Sequence, residues 1–169
     1  MSPDYTIRPA RPGDEATIVS LIHELAVYEK LEHEAQATPE LLSRHLFGPR
    51  PFAEALMAEH RGDPVGFALY FHTFSTFRGL PSLYLEDVFV RPPHRGQGLG
   101  KALLARVARI AVDRGCGRME WSVLDWNEPA IAFYRSVGAR PMDEWTVQRL
   151  DDDALVALAQ LDDSQPKSN

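Results

Sequence analysis

Cysteine is nearly absent. Cys116 stands alone in 169 residues, so no disulfide can form within the chain. A chain of this length buries about 70% of the surface its unfolded form exposes and needs no staple. A lone thiol fits a reducing compartment. Long apolar runs are missing as well: no stretch approaches the ~18 residues of a membrane-spanning helix. The first residues, Met1-Ser2-Pro3-Asp4-Tyr5, have neither the basic start nor the apolar core of a secretion signal. The expectation is a cytoplasmic protein with no membrane partner. Positive charge is in deficit, with 18 Lys plus Arg against 24 Asp plus Glu, a formal charge of −6. Such a surface repels phosphate backbones, so nucleic acid is not an expected partner, whereas a cationic small molecule is compatible. The six histidines, His23, His33, His45, His60, His72 and His94, never fall in H-x-x-x-H or H-E-x-x-H spacing. No metal site is therefore expected. Cys116 lacks a helix-start setting and reads as a small packing residue.

What is present is ordinary for a globular chain, 44% hydrophobic and 25% charged. No repeat or interior linker divides it, so the expectation is one domain over residues 1–161. The polar end, residues 162–169, has nothing to bury and is expected to be disordered. Tyr5 to Arg8 reads as a first strand. Ile18, Leu21, Ile22, Leu25 and Tyr28 recur at helical steps after Gly13-Asp14. Thr38-Pro39-Glu40 is a helix start, with Thr38 as N-cap. Phe52–Glu59 and Val65–Phe74 read as a hairpin around Gly62-Asp63-Pro64, and Ser82–Val90 as a further strand. Leu99, Leu103, Val107 and Ile110 have helical spacing, closed near Gly115. Arg118–Leu124 reads as a strand and Glu128–Ser136 as a short helix. At least one more strand is expected within Arg140–Leu150, then a terminal helix over Asp151–Leu161. The order predicts an α/β fold, a mixed sheet flanked by helices.

The sharpest local signal is a strand, Tyr84-Leu85-Glu86-Asp87-Val88-Phe89-Val90, running through Arg91-Pro92-Pro93-His94 into Arg95-Gly96-Gln97-Gly98-Leu99-Gly100-Lys101. Glycines let the backbone approach a ligand closely. The free N–H groups that open the following helix suit a phosphate. The spacing matches neither a P-loop nor a dinucleotide-binding fingerprint.

Arg95-Gly96-Gln97-Gly98-Leu99-Gly100 resembles the acetyl-CoA loop of the GNAT N-acetyltransferases. Trp126-Asn127-Glu128-Pro129-Ala130-Ile131-Ala132-Phe133-Tyr134 lies at the matching separation. With Glu24–Lys30, Val65–Tyr70 and Leu83–Val90, the resemblance extends to the diamine (spermidine/spermine) and thialysine acetyltransferase branch. It implies the GNAT acyl-CoA N-acyltransferase fold, acetyl-CoA as co-substrate and a homodimer. It also implies that Val88, Phe89, Val90, Arg95, Gly96, Gln97, Gly98, Leu99, Gly100, Lys101, Asn127, Pro129 and Tyr134 bind the cofactor. Tyr28, Glu29, Glu86, Glu120, Trp121 and Ser122 would be the substrate side. Asn127 also reads as the N-cap of its helix. Around Lys30-Leu31-Glu32-His33, Phe74–Pro81 and Glu120-Trp121-Ser122 the sequence departs from the polyamine enzymes.

Acetyl transfer needs a neutral amine and a departing thiolate. A lysine-like amine of pKa ~10.4 is neutral in roughly one molecule of 2,500 at pH 7, a handicap of ~4–5 kcal/mol. Glu86 is the expected proton acceptor or ammonium anchor. Tyr134 is the expected general acid, since a phenol is protonated at pH 7 and can donate to a forming thiolate. Asp87, its neighbour's opposite on a regular strand, is left ambiguous. Two other readings stay open: acetylation of protein or peptide amines, and a catalytically silent acyl-CoA-binding module.

Overall fold

The computed structural model describes residues 4–162; the expected disordered end lies outside these residues except for Asp162. The described chain forms two compact units, one up to Ser122 and one from Val123.

The first unit is built on a sheet in the order β1-β2-β3-β4-β5. Its strands are β1 (Tyr5–Pro9), β2 (Glu54–His60), β3 (Asp63–Ser75), β4 (Leu80–Val90) and β5 (Met119–Glu120). The first four are antiparallel neighbours, and β5 joins β4 in parallel. Helices α1 (Glu15–Glu29) and α2 (Pro39–Phe47) precede β2, and α3 (Leu99–Asp113) follows β4. One sheet face carries Ala55, Met57, Phe67 and Phe89 against Ile18, Leu21 and Leu25 of α1 and Leu46 of α2. The register puts Leu56, Ala68, Tyr70 and Leu85 on the other face. There Leu99, Leu103 and Val107 of α3 are also fully buried. Arg8 ties the layers together, with Nη1 2.7 Å from Asp14 and Nη2 2.7 Å from Glu59. None of the described helices is long and apolar enough to cross a membrane.

Local chemistry explains the element ends. The Thr38 side chain accepts from Leu41 N–H, as expected of the N-cap of α2. The β2–β3 turn sits one residue earlier than expected. Arg61 and Gly62 have φ of 53° and 90°, a two-residue turn whose twist suits the flanking strands. β5 is shorter than expected because pairing with β4 stops at Tyr84↔Glu120.

The second unit contains α4 (Glu128–Ser136) and α5 (Asp152–Ala159). Asn127 caps α4, its side chain accepting from Ala130 N–H at 3.4 Å. The strand expected within Arg140–Leu150 is not formed. The alternation of Trp145 and Val147 is there, yet both side chains are exposed and the segment has no ladder partner among the described residues. Strand formation needs a second strand, which propensity cannot supply.

Candidate active site

The site in the first unit is set by an irregularity in β4. Leu69 pairs with Asp87, and Tyr70 pairs with Leu85, so Glu86 is an extra residue with no partner on β3. A bulge of this kind reverses the alternation of side chains. Leu85 therefore shares a face with Tyr70, towards α3, whereas Asp87 and Phe89 share the α1 face with Leu69 and Phe67. A regular strand would have put Asp87 on the face of Leu85.

α1 brings its last turn to the same place. Glu24 holds Arg91, which follows β4, with Arg91 Nε donating at 2.9 Å and Nη2 at 2.6 Å. Arg91 Nη1 also donates to the Pro64 carbonyl at 2.8 Å. The helix ends when Lys30 turns left-handed, φ 61°, and Leu31 N–H donates back to Ala26 O at 2.9 Å. Tyr28 and Glu29 are thus fixed in the closing turn. Burial raises the Glu29 carboxyl above the usual carboxylate range. Asp87 is raised to about 6, first by burial, then by the charges of Glu86 and Glu29. The charges of Glu86 and Glu29 therefore both bear on Asp87, with Glu86 the exposed member.

Beside them, the Arg95 guanidinium lies 4.7 Å from the Tyr28 ring centroid and 5.5 Å from that of Phe89. Its Nε donates to Val90 O at 2.7 Å. The Arg95 side chain is therefore folded onto Tyr28, on the side expected to take the substrate. The next turn is left-handed at both flanking glycines, φ 76° at Gly96 and 82° at Gly98. A Cβ built on Gly96 meets nothing within 4 Å, so the turn has open space on that side. Gly98 is the N-cap of α3 and supplies no side-chain cap, which leaves the first-turn amides of Leu99, Gly100 and Lys101 without an intrahelical partner. The Leu99 side chain is itself buried, so Leu99 offers only its amide. This backbone suits an anion such as a pyrophosphate. Next to it, β4 from Leu85 to Val90 has no strand partner on its β5 side among the described residues. That edge includes Val88 and offers peptide groups to an extended ligand.

Other expected substrate residues are engaged differently. Glu120 pairs with Arg118 at 2.9 Å. Ser122 Oγ lies 2.7 Å from Tyr84 Oη, and Tyr84 packs on Phe71 with ring centroids 5.3 Å apart. Trp121, between them, is partly buried. In the second unit Asn127 is buried at the start of α4, Pro129 stands in the first turn, and Tyr134 lies in the body of the helix. The Tyr134 ring is partly buried, 5.4 Å from that of Phe133.

The residue whose weight the sequence understates is Asp87. Alternation is the only signal there, and a one-residue bulge leaves no composition mark.

An antiparallel meander continued by one parallel strand, with a glycine turn opening a helix, is the frame of an acyltransferase. Residues 18–139 match the family model described as acetyltransferase (GNAT) family, and the chain belongs to that family of enzymes. Among characterised relatives, the thialysine N-epsilon-acetyltransferase of Bos taurus is 40% identical, covering 90% of this chain and 96% of its own. The L-ornithine N5-acetyltransferase of Arabidopsis thaliana is 35% identical over 92% of this chain and 88% of its own. A solved integron cassette protein from V. cholerae superposes with a TM-score of 0.79 at 26% identity, covering 94% of this chain and 99% of that one.

Proposed function

We propose that the chain transfers the acetyl group of acetyl-CoA directly to a primary amine of a small cationic substrate. The observation that carries this reading is the bulge-driven placing of a half-buried Asp87 beside Glu86 and Glu29; burial first, and then the charges of the other two, raise Asp87 to about 6. An ammonium group relieves such repulsion, so the cluster favours an amine that arrives as a cation. Once there, the amine must lose its proton. A carboxylate of pKa about 6 stands closer to the amine than an ordinary one does, and it is still ionised at pH 7. The proton acceptor in this reading is the Glu86–Asp87 pair, acting directly or through water, with Glu29 and Tyr28 completing the substrate side. Glu120, Trp121 and Ser122 border it.

Acetyl-CoA supplies a thioester, activated towards an amine. The residues that fit it are the glycine turn, with the amides of Gly96 to Lys101 for the pyrophosphate, and the open edge Val88-Phe89-Val90 for the extended arm. Asn127 and Pro129 are assigned to the cofactor by the family resemblance, and Tyr134 to hydrogen-bond donation at the leaving sulfur. Residues 1–161 act as one catalytic domain, in keeping with a family match that runs through both compact units. The protein works in the cytoplasm as a homodimer. Exposed Trp145, Val147, Leu150 and Leu158 support a self-contact, since solvent alone is a poor neighbour for them.

The relatives act on thialysine and L-ornithine, each an amine with a second cationic group. In thialysine the sulfur two carbons from the amine withdraws electrons and enlarges the neutral fraction, which offsets part of the handicap. The test is CoA release with thialysine, ornithine, a short diamine, spermidine, lysine and a lysine peptide between pH 7 and 9. Thialysine or a short diamine should lead in kcat/KM near pH 7. A tenfold lead for spermidine at every pH would make this a polyamine enzyme. Turnover of the peptide alone, or of none, would overturn the small-amine reading.

A further inference from the structure

Arg95 is held at the Val90 carbonyl, but the glycine turn that follows it lies at the surface. Arg95, Gly96, Gln97 and Gly98 are all exposed, and two of the four are left-handed glycines, which lose more conformational freedom on ordering than any other residue. Yet amides can grip an anion tightly only if they point at it beforehand.

The first residue of the sheet supplies an anchor. Tyr5 is buried at the start of β1, with 5% of its surface exposed. Its hydroxyl donates to Gln97 Oε1 at 3.0 Å and stands 3.0 Å from His94 Nδ1. A phenol has one proton. With that proton on Gln97, His94 must donate from Nδ1 into the Tyr5 oxygen, which fixes the His94 tautomer. One hydroxyl therefore joins the residue between the two glycines to the 3-10 turn that precedes them, Pro92–His94. The Tyr5 ring is itself held from behind. Tyr5 pairs with His60 across β1 and β2, and the two ring centroids are 4.8 Å apart. His60 in turn lies 5.2 Å from the His94 ring. The linkage spans 92 residues of sequence, tying the turn to the far edge of the sheet.

We propose that Tyr5 is a positioning residue for the phosphate-binding turn. Through Gln97 and His94 it holds the amides of residues 96–98 in the geometry that receives the pyrophosphate, so that binding does not have to order them. The consequence for acetyl-CoA rests on the function proposed above. The ordering of the turn does not, and the two are tested separately.

Tyr5→Phe keeps the ring against His60 and removes only the hydroxyl. In the ligand-free protein, 15N relaxation should show the backbone of Gly96, Gln97 and Gly98 passing from the rigid range, order parameters near ~0.85, towards the flexible range below ~0.6. In steady-state kinetics the KM for acetyl-CoA should rise about tenfold, with kcat within twofold and the amine KM unchanged. Gln97→Leu should reproduce that rise, and the double variant should add nothing further, because both changes break one linkage. Unchanged order parameters in Tyr5→Phe overturn the proposal. So does a fall in melting temperature with no change in acetyl-CoA KM, which would make Tyr5 a packing residue only. Additive losses in the double variant overturn the route through Gln97. If the wild-type chain binds no acetyl-CoA, the proposed function fails, and the relaxation data still decide whether Tyr5 orders the turn.

Discussion

Asp87 is a carboxyl group that folding places in partial burial beside two others, and this has a sign. Its folded pKa of about 6 exceeds the ordinary aspartate value of 3.8, so the folded chain holds this proton more tightly than the unfolded chain does. Stability then falls as pH rises through that window, by up to about 3 kcal/mol for a shift of this size. Asp14 and Glu54 work the other way. Arg8 and Arg114 hold their carboxyls below the usual range, so the stability they give is present above it and fades as pH falls. Asp87→Asn should therefore raise stability at pH 7 by ~1–3 kcal/mol and flatten the profile between about pH 4 and 6. Urea unfolding across that range checks it. The same variant should lose the acid limb of kcat/KM near pH 6. An unaltered limb would remove Asp87 from proton transfer. Tyr134→Phe tests the other half of the reaction. Turnover should fall ~10²–10⁴-fold with acetyl-CoA affinity little changed, if the hydroxyl serves the sulfur. Both residues stand in motifs legible from sequence. What was not legible was which of two adjacent carboxylates the fold would bury, because burial depends on a register set by β3.

Helices α2 and α4 could be placed from sequence because their signals are local: Thr38 and Asn127 cap them, and proline follows each cap. Strands behaved differently. Ser82–Val90 was recognisable from its aliphatic run, yet its bulge was not, and the segment Arg140–Leu150 carries alternation but has no partner strand among the described residues. The glycine turn lies between these cases. Its composition points to a ligand loop, while the backbone of the turn, left-handed at Gly96 and Gly98, had to be seen. Gly98→Val should weaken acetyl-CoA binding by more than tenfold, because a branched side chain is strained at φ 82° and blocks the amides. Calorimetry on the folded variant measures this, and wild-type affinity would take the turn out of the cofactor site.

At the scale of the whole molecule, apolar surface is distributed unevenly. The first unit buries Phe67, Ile18, Leu21 and Met57 completely, whereas Trp145, Val147 and Leu161 of the second unit are each at least 74% exposed. Sedimentation should accordingly give a species of twice the chain mass. Trp145→Ser with Val147→Ser should shift it towards the single chain. The strand order carries a different consequence, for the sequence of events in folding. Strands β2, β3 and β4 are consecutive in the chain and adjacent in the sheet, so the loops that close them are short and entropically cheap. β1 reaches β2 only across the long stretch between the Pro9↔Leu56 pair, which holds both α1 and α2. β5 has just two rungs, reached after the whole of α3. The central meander should thus form early and open last, with amide protons that outlast all others in native-state exchange. The rungs to Met119 and Glu120 should be among the first to open.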